Sequence, residues 1–263
     1  MYTLLAIWAF GVGVIFGSFL NALLFRFNTG KSMGGRSRCM GCNHTLHALD
    51  LVPILSYVYL RGKCRYCGAR VSLQYPLVEA VAGVLSIKIF FLFYPNLYVW
   101  AFWLLVWLFI LFIVVYDLRH KIIPWSASLP LILLAFVSVC IPGIPELRVI
   151  VAGPLLALPL FLLSLVSNGR WMGWADSVFE LSLGTMLGAS LGASALLMAV
   201  WSGAFIGLLL IVLQRFTPKG QSHKGEGGFT IHSEIPFAPF LALGAAIAFF
   251  FHVDFFSTFS QLF

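Results

Sequence analysis

Residues 97–116 read LYVWAFWLLVWLFILFIVVY, and the next eight, 117–124, read DLRHKIIP. Twenty uncharged residues in a row are what an α-helix needs to cross a hydrocarbon layer about 30 Å thick. Lipid offers the backbone no hydrogen bonds, so such a run must satisfy its own N–H and C=O groups as a helix. The acid and the basic residues that close it mark the return to water. This run therefore reads as a transmembrane helix ending at Asp117.

The pattern recurs. Further apolar runs lie at 2–25, 74–94, 125–141, 149–167, 174–190, 192–213 and 236–253. Of these, 174–190 is short and rich in Gly and Ser, the weakest of the set. The opening run lacks a basic lead and exceeds the 7–15 apolar residues of a signal peptide, so it reads as a span. Composition agrees: 61% of the 263 residues are hydrophobic and 10% charged, against about 45–50% and about 25% in soluble chains. A soluble domain, a disordered chain, a coiled coil and a secreted disulfide scaffold are all excluded. The expectation is an all-α polytopic membrane protein with about eight transmembrane helices.

The net charge of +7 is then a topology signal, because retained cytoplasmic loops collect Lys and Arg. With the N-terminus outside, fourteen of the sixteen basic residues fall on the cytoplasmic side, leaving Lys88 and Arg148 outside. The partners expected on this basis are membrane lipid and no nucleic acid. The reading divides the chain into a first helix (1–25), a cytoplasmic loop domain (26–73) and a membrane domain of about seven helices (74–263). A second polar stretch, 217–234, is Gly-rich and reads as a mobile cytoplasmic loop.

Within the first loop, Cys39-Met-Gly-Cys42 and Cys64-Arg-Tyr-Cys67 form two C-x-x-C knuckles. That spacing approximates a four-cysteine zinc site. The alternative is a pair of disulfides, which a reducing cytoplasm disfavours. Gly41 and Gly68 suit the tight turns. So short a loop has little core, and a closed metal site would supply much of its folding energy. Cys140 reads as apolar filler.

Charged groups inside spans cost about 2.5–3.5 kcal/mol each, so the few acids stand out. Asp117 and Asp176 both fall at the cytoplasmic membrane boundary. Two carboxylates at equal depth can share a proton and activate water. The alternative makes each an interfacial cap. Glu180 lies on the same helix face as Asp176, one turn on. Glu79 reads either as a first-turn acid favouring the helix dipole or as a site residue, and Glu234 carries a similar ambiguity. Gly13, Gly17 and Ser18 form a small-residue face for close helix packing, which Asn21 continues. His120, His223, His232 and His252 show no ligand spacing.

Together these segments resemble the bacterial type IV prepilin peptidases, bifunctional leader peptidases and N-methyltransferases. The shared segments are GSFLN (17–21), DLVPILSY (50–57), LRGKCRYCG (60–68), YPLVE (75–79), DLRHKIIP (117–124), MGWAD (172–176) and EIPFAPFLALG (234–244). The resemblance implies an intramembrane aspartic protease of the bacterial inner membrane with Asp117 and Asp176 as the catalytic dyad. It implies cleavage of the short basic leader of prepilins or pseudopilins. Methylation of the new N-terminus by S-adenosylmethionine follows, and the four-cysteine loop is associated with that half. Three departures stand out. Ala175 replaces the glycine of the family's G-x-G-D signature, Val178 replaces its lysine, and Trp125 stands where an acid or amide is common. The rival readings are a proton- or ion-coupled transporter, which would need acids near mid-bilayer, and a noncatalytic member that binds pilin precursors.

Overall fold

The computed structural model describes residues 2–29, 34–140, 146–216 and 236–256. It is almost wholly helical. In chain order the helices are α1 (Tyr2–Arg26), a 3-10 turn (Ala48–Leu51), α2 (Leu55–Tyr59), α3 (Gln74–Phe93), α4 (Leu97–His120), α5 (Trp125–Ser138), α6 (Glu146–Val166), α7 (Trp174–Phe216) and α8 (Ala238–Phe251). Helices α1, α3, α4 and α7 contain stretches long and apolar enough to cross a membrane. Helices α5 and α8 have 14 residues each, about 21 Å at 1.5 Å per residue, less than the full hydrocarbon thickness.

Two expected boundaries move. The runs 174–190 and 192–213 form one element, α7, whose direction breaks at Gly188 (φ 77, ψ 179). That conformation is open to glycine and closed to most side chains, so the sequence pause is a kink rather than a loop. With α7 divided there, the described residues hold eight apolar helical segments, as the hydropathy pattern predicts. Helix α4 runs four residues beyond the apolar stretch and ends at His120, which takes Asp117 into its last turn. The stretch 217–234 and Glu234 lie outside the described residues.

The chain forms two compact units, Met1–Phe112 and Ile113–Phe263, with the boundary inside α4. In the first, α1 and α3 pack through the small-residue face: a Cβ on Gly17 would lie 2.9 Å from both the Glu79 Cα and the Ala82 Cβ. Polar groups stitch the same pair. Ser86 Oγ donates to the Ala9 carbonyl at 2.6 Å and Asn21 Nδ2 to that of Tyr75 at 3.0 Å. In the second unit α7 is the spine, gripped by α6 through Gly153 and Gly184 and by α8 through Gly244. Beyond α8, Asp254 accepts hydrogen bonds from Ser190 Oγ at 2.7 and 2.6 Å, fastening the chain just past the kink.

Candidate active site and metal-binding loop

The loop of unit 1 is built from two matched turns. In the first, Cys39 N–H donates to the His44 carbonyl and Asn43 N–H to that of Cys39, at 3.0 and 2.9 Å. In the second, Cys64 N–H donates to the Ala69 carbonyl and Gly68 N–H to that of Cys64, at 2.8 and 3.0 Å. Isolated β-bridges, Arg38 with Thr45 and Lys63 with Arg70, close the base of each. The residue after the second cysteine takes positive φ in both, Asn43 at 57° and Gly68 at 71°. Asn43 therefore fills the conformational role the sequence reading assigns to Gly41. Gly41 is needed for space instead, since a Cβ there would lie 2.9 Å from the Ala69 Cβ.

The four cysteine sulfurs all lie within 4.8 Å of one another, with Cys39 and Cys67 3.8 Å apart. A tetrahedron of sulfurs about 2.3 Å from a central zinc has edges of roughly 3.8 Å, whereas a disulfide needs about 2.05 Å. The cluster fits a metal ion, and all four cysteines are free thiols. Backbone N–H groups of Cys42 and Gly41 draw the Cys39 thiol down to about 6. Cys67 receives the Ala69 N–H, which favours its thiolate. Hydrogen bonds shared with Cys42, burial and the other two cysteines outweigh this and push Cys67 up to about 12. Four thiols this close cannot all ionise without a cation among them.

Beside the cluster, Asp50 ties the 3-10 turn to the second knuckle. It meets Arg65 Nε at 3.0 Å, and it accepts from Tyr66 Oη at 2.9 Å and from the His47 N–H at 3.1 Å. Burial works against the Asp50 carboxylate, but Tyr66, the His47 N–H and Arg65 together hold it below the ordinary carboxylate range. His44 stacks on Tyr66 with ring centroids 3.8 Å apart.

Glu79 is not in the first turn of α3, correcting that reading of it. It lies in the second turn, 6% exposed, and accepts the Ile54 N–H at 2.8 Å and a hydrogen bond from the Ser18 hydroxyl. Ile54 sits at φ 59, ψ −53, an uncommon conformation for a β-branched residue. Nothing local in the sequence signals this contact across 25 residues.

In unit 2, Asp117 is 4% exposed and its Oδ2 accepts the Ala238 N–H at 3.3 Å. An acid at a helix C-terminus faces the unfavourable end of its own dipole. Here the Ala238 N–H, at the start of α8, supplies the opposite end. Helix α8 has no side-chain cap of its own, so Asp117 caps it from 121 positions away. Asp176, in the first turn of α7, donates its N–H to the Gly173 carbonyl at 3.1 Å. A Cβ on Gly173 would approach Asp176 Oδ2 to 3.3 Å. Asp117 and Asp176 lie close enough to repel each other electrostatically, and neither makes an ion pair among the described residues. Trp125 and Trp174 bring the starts of α5 and α7 together, ring centroids 4.4 Å apart, and each is about half exposed. Glu180 is buried at 2% exposure on the Asp176 face of α7. Cys140 is exposed just beyond α5.

Residues 12–93 match the family model described as the Bacterial Peptidase A24 N-terminal domain. Several curated relatives carry the name "Prepilin leader peptidase/N-methyltransferase". That of Aeromonas hydrophila is 32% identical over 218 residues, 81% of this chain and 70% of the relative. That of Burkholderia pseudomallei strain 1026b is 30% identical over 230 residues, covering 84% and 69%. That of Myxococcus xanthus strain DK1622 is 32% identical over 240 residues, covering 85% and 68%. No solved structure matches this chain.

Proposed function

Since this chain belongs to the prepilin leader peptidase/N-methyltransferase family, we propose that it is an intramembrane aspartic endopeptidase acting on prepilins or pseudopilins. It removes their short basic leader on the cytoplasmic side of the inner membrane and then methylates the new N-terminus. One observation carries the peptidase reading. Asp117 and Asp176 come from the ends of two different helices and lie within electrostatic reach of each other, with α8 holding the first by its N-terminal N–H.

One carboxylate is ionised and takes a proton from water, while the other carries the proton that passes to the scissile carbonyl oxygen or leaving amine. The Ala238 N–H keeps the Asp117 oxygen fixed, so little reorganisation accompanies the charge change. Trp125 and Trp174 pack against each other at the starts of α5 and α7, the latter two residues before Asp176. Val178 supplies no cation there, and the Ala238 N–H is a backbone donor to the Asp117 carboxylate. Replacing Asp117 with Asn, or Asp176 with Asn, lowers prepilin processing by about 10²–10⁴-fold or more, read by gel mobility of a co-expressed prepilin. Full processing by either variant refutes the dyad. Binding of prepilin by the unaltered chain without any cleavage marks it as a noncatalytic member.

Cys39, Cys42, Cys64 and Cys67 would hold a zinc ion, whose part is structural: four thiolates close its coordination and leave no open position for chemistry. The basic loops support an N-terminus outside the membrane and the four-cysteine loop within the cytoplasm. S-adenosylmethionine is the methyl donor in this reading.

A further inference from the structure

Unit 1 contains two of the chain's nine acids, Asp50 and Glu79. Asp50 is engaged by Arg65, Tyr66 and the His47 N–H. Glu79 is different: it is buried, receives only the neutral donors of Ile54 and Ser18, and makes no ion pair among the described residues. One turn after Ser18 on α1, Asn21 is 1% exposed, and its Oδ1 is buried with no hydrogen-bond partner. Its amide nitrogen is fixed by the carbonyl of Tyr75, one turn before Glu79 on α3. A buried carboxylate on α3 and an orphaned carbonyl-type oxygen on α1 thus flank one helix seam, and among the described residues no ion pair reaches Glu79. An alkylammonium group, which is all donor and positively charged, complements it.

Resting on the bifunctional reading above, we infer that Glu79, supported by Asn21, binds the α-ammonium group of the cleaved pilin-like chain and is the proton acceptor for its methylation. The Glu79 carboxylate takes one proton from the ammonium. The freed lone pair on nitrogen forms the N–C bond to the methyl of a methylsulfonium donor. The C–S bond breaks as this happens and its electron pair stays on sulfur. The products are a secondary ammonium, a neutral thioether and protonated Glu79. The methylating centre thereby lies at the α1–α3 seam, and the cysteine knuckles serve the fold.

The test uses the full chain in lipid nanodiscs with two substrates, a prepilin and a peptide that already begins at the mature N-terminus. Mass spectrometry reads cleavage and the gain of one methyl group separately. Glu79→Gln is expected to cleave prepilin normally and to methylate both substrates about 10²-fold or more slowly at pH 7. That deficit should shrink as pH rises through about 8, where an α-amine loses its proton unaided. Equilibrium dialysis with labelled S-adenosylmethionine should give the same affinity in both proteins. Wild-type methylation rates in Glu79→Gln, or a deficit that ignores pH, overturn the assignment. So does an unaltered chain that cleaves prepilin and methylates neither substrate. Methylation of the pre-cut peptide by a chain that cuts nothing counts against the peptidase reading and supports this one. Should Glu79→Gln fail to fold, Asn21→Ala carries the test: a several-fold rise in KM for the peptide alone is expected, and an unchanged KM overturns the proposal.

Discussion

At Asp50 three donors converge on one carboxylate at the base of the second knuckle. Because its folded-state pKa lies below the unfolded value, this group adds stability that is complete above about pH 4. It is lost as pH falls through the lowered folded value. Asp50→Asn removes that contribution at neutral pH. Hydrogen exchange of the 34–73 backbone should therefore be faster in the variant at pH 7, and the difference from the unaltered chain should close on acidification. Equal exchange at pH 7 removes Asp50 from the loop's support. The Asp117 carboxylate has a different kind of partner, since its Oδ2 accepts the Ala238 N–H at the start of α8.

Among the elements, the α1–α3 pair depends most plainly on residue size. A Cβ on Gly13 would collide with the Ala82 carbonyl, and would lie 2.5 Å from the Ser86 Cβ and 2.9 Å from the Gly83 Cα. Two of these three atoms are backbone and cannot swing aside. Gly13→Ala should therefore separate the helices and cost about 1–3 kcal/mol, measured as a lower midpoint of thermal unfolding in detergent. An unchanged midpoint would show the seam to be compliant. Helix α7 uses glycine for another reason. Gly188 supplies a conformation, and the bend it makes is fastened by Ser190 and Ser194 to Asp254 beyond α8.

For the whole molecule, the four-cysteine cluster and the two aspartates belong to different compact units. All four cysteines belong to Met1–Phe112 and both aspartates to Ile113–Phe263. Structural zinc contributes about 10–16 kcal/mol in small metal-folded domains, far more than a loop of this size gains from its own core. Stripping the metal with a chelator should expose Arg61, Lys63 and Arg65 to trypsin while prepilin cleavage stays within about twofold. A tryptic pattern unchanged by chelation removes the metal's structural role, and loss of cleavage in parallel makes the two units one functional body.

Much of this protein is legible in one dimension. Twenty uncharged residues at 97–116 dictate a helix because lipid leaves the backbone no other partner. Two C-x-x-C pairs predict a four-sulfur cluster because the knuckle turn brings each pair together locally. Asp117 and Asp176 stand out because acids are scarce in apolar runs. What spacing cannot carry is the identity of long-range partners. The α8 N–H that holds Asp117, the Ile54 N–H on Glu79 and the pairing of Trp125 with Trp174 join positions 121, 25 and 49 residues apart. Hydropathy selects which segments enter the membrane. Only side-chain packing in three dimensions decides which segment ends meet, because that choice depends on the shape of both faces at once.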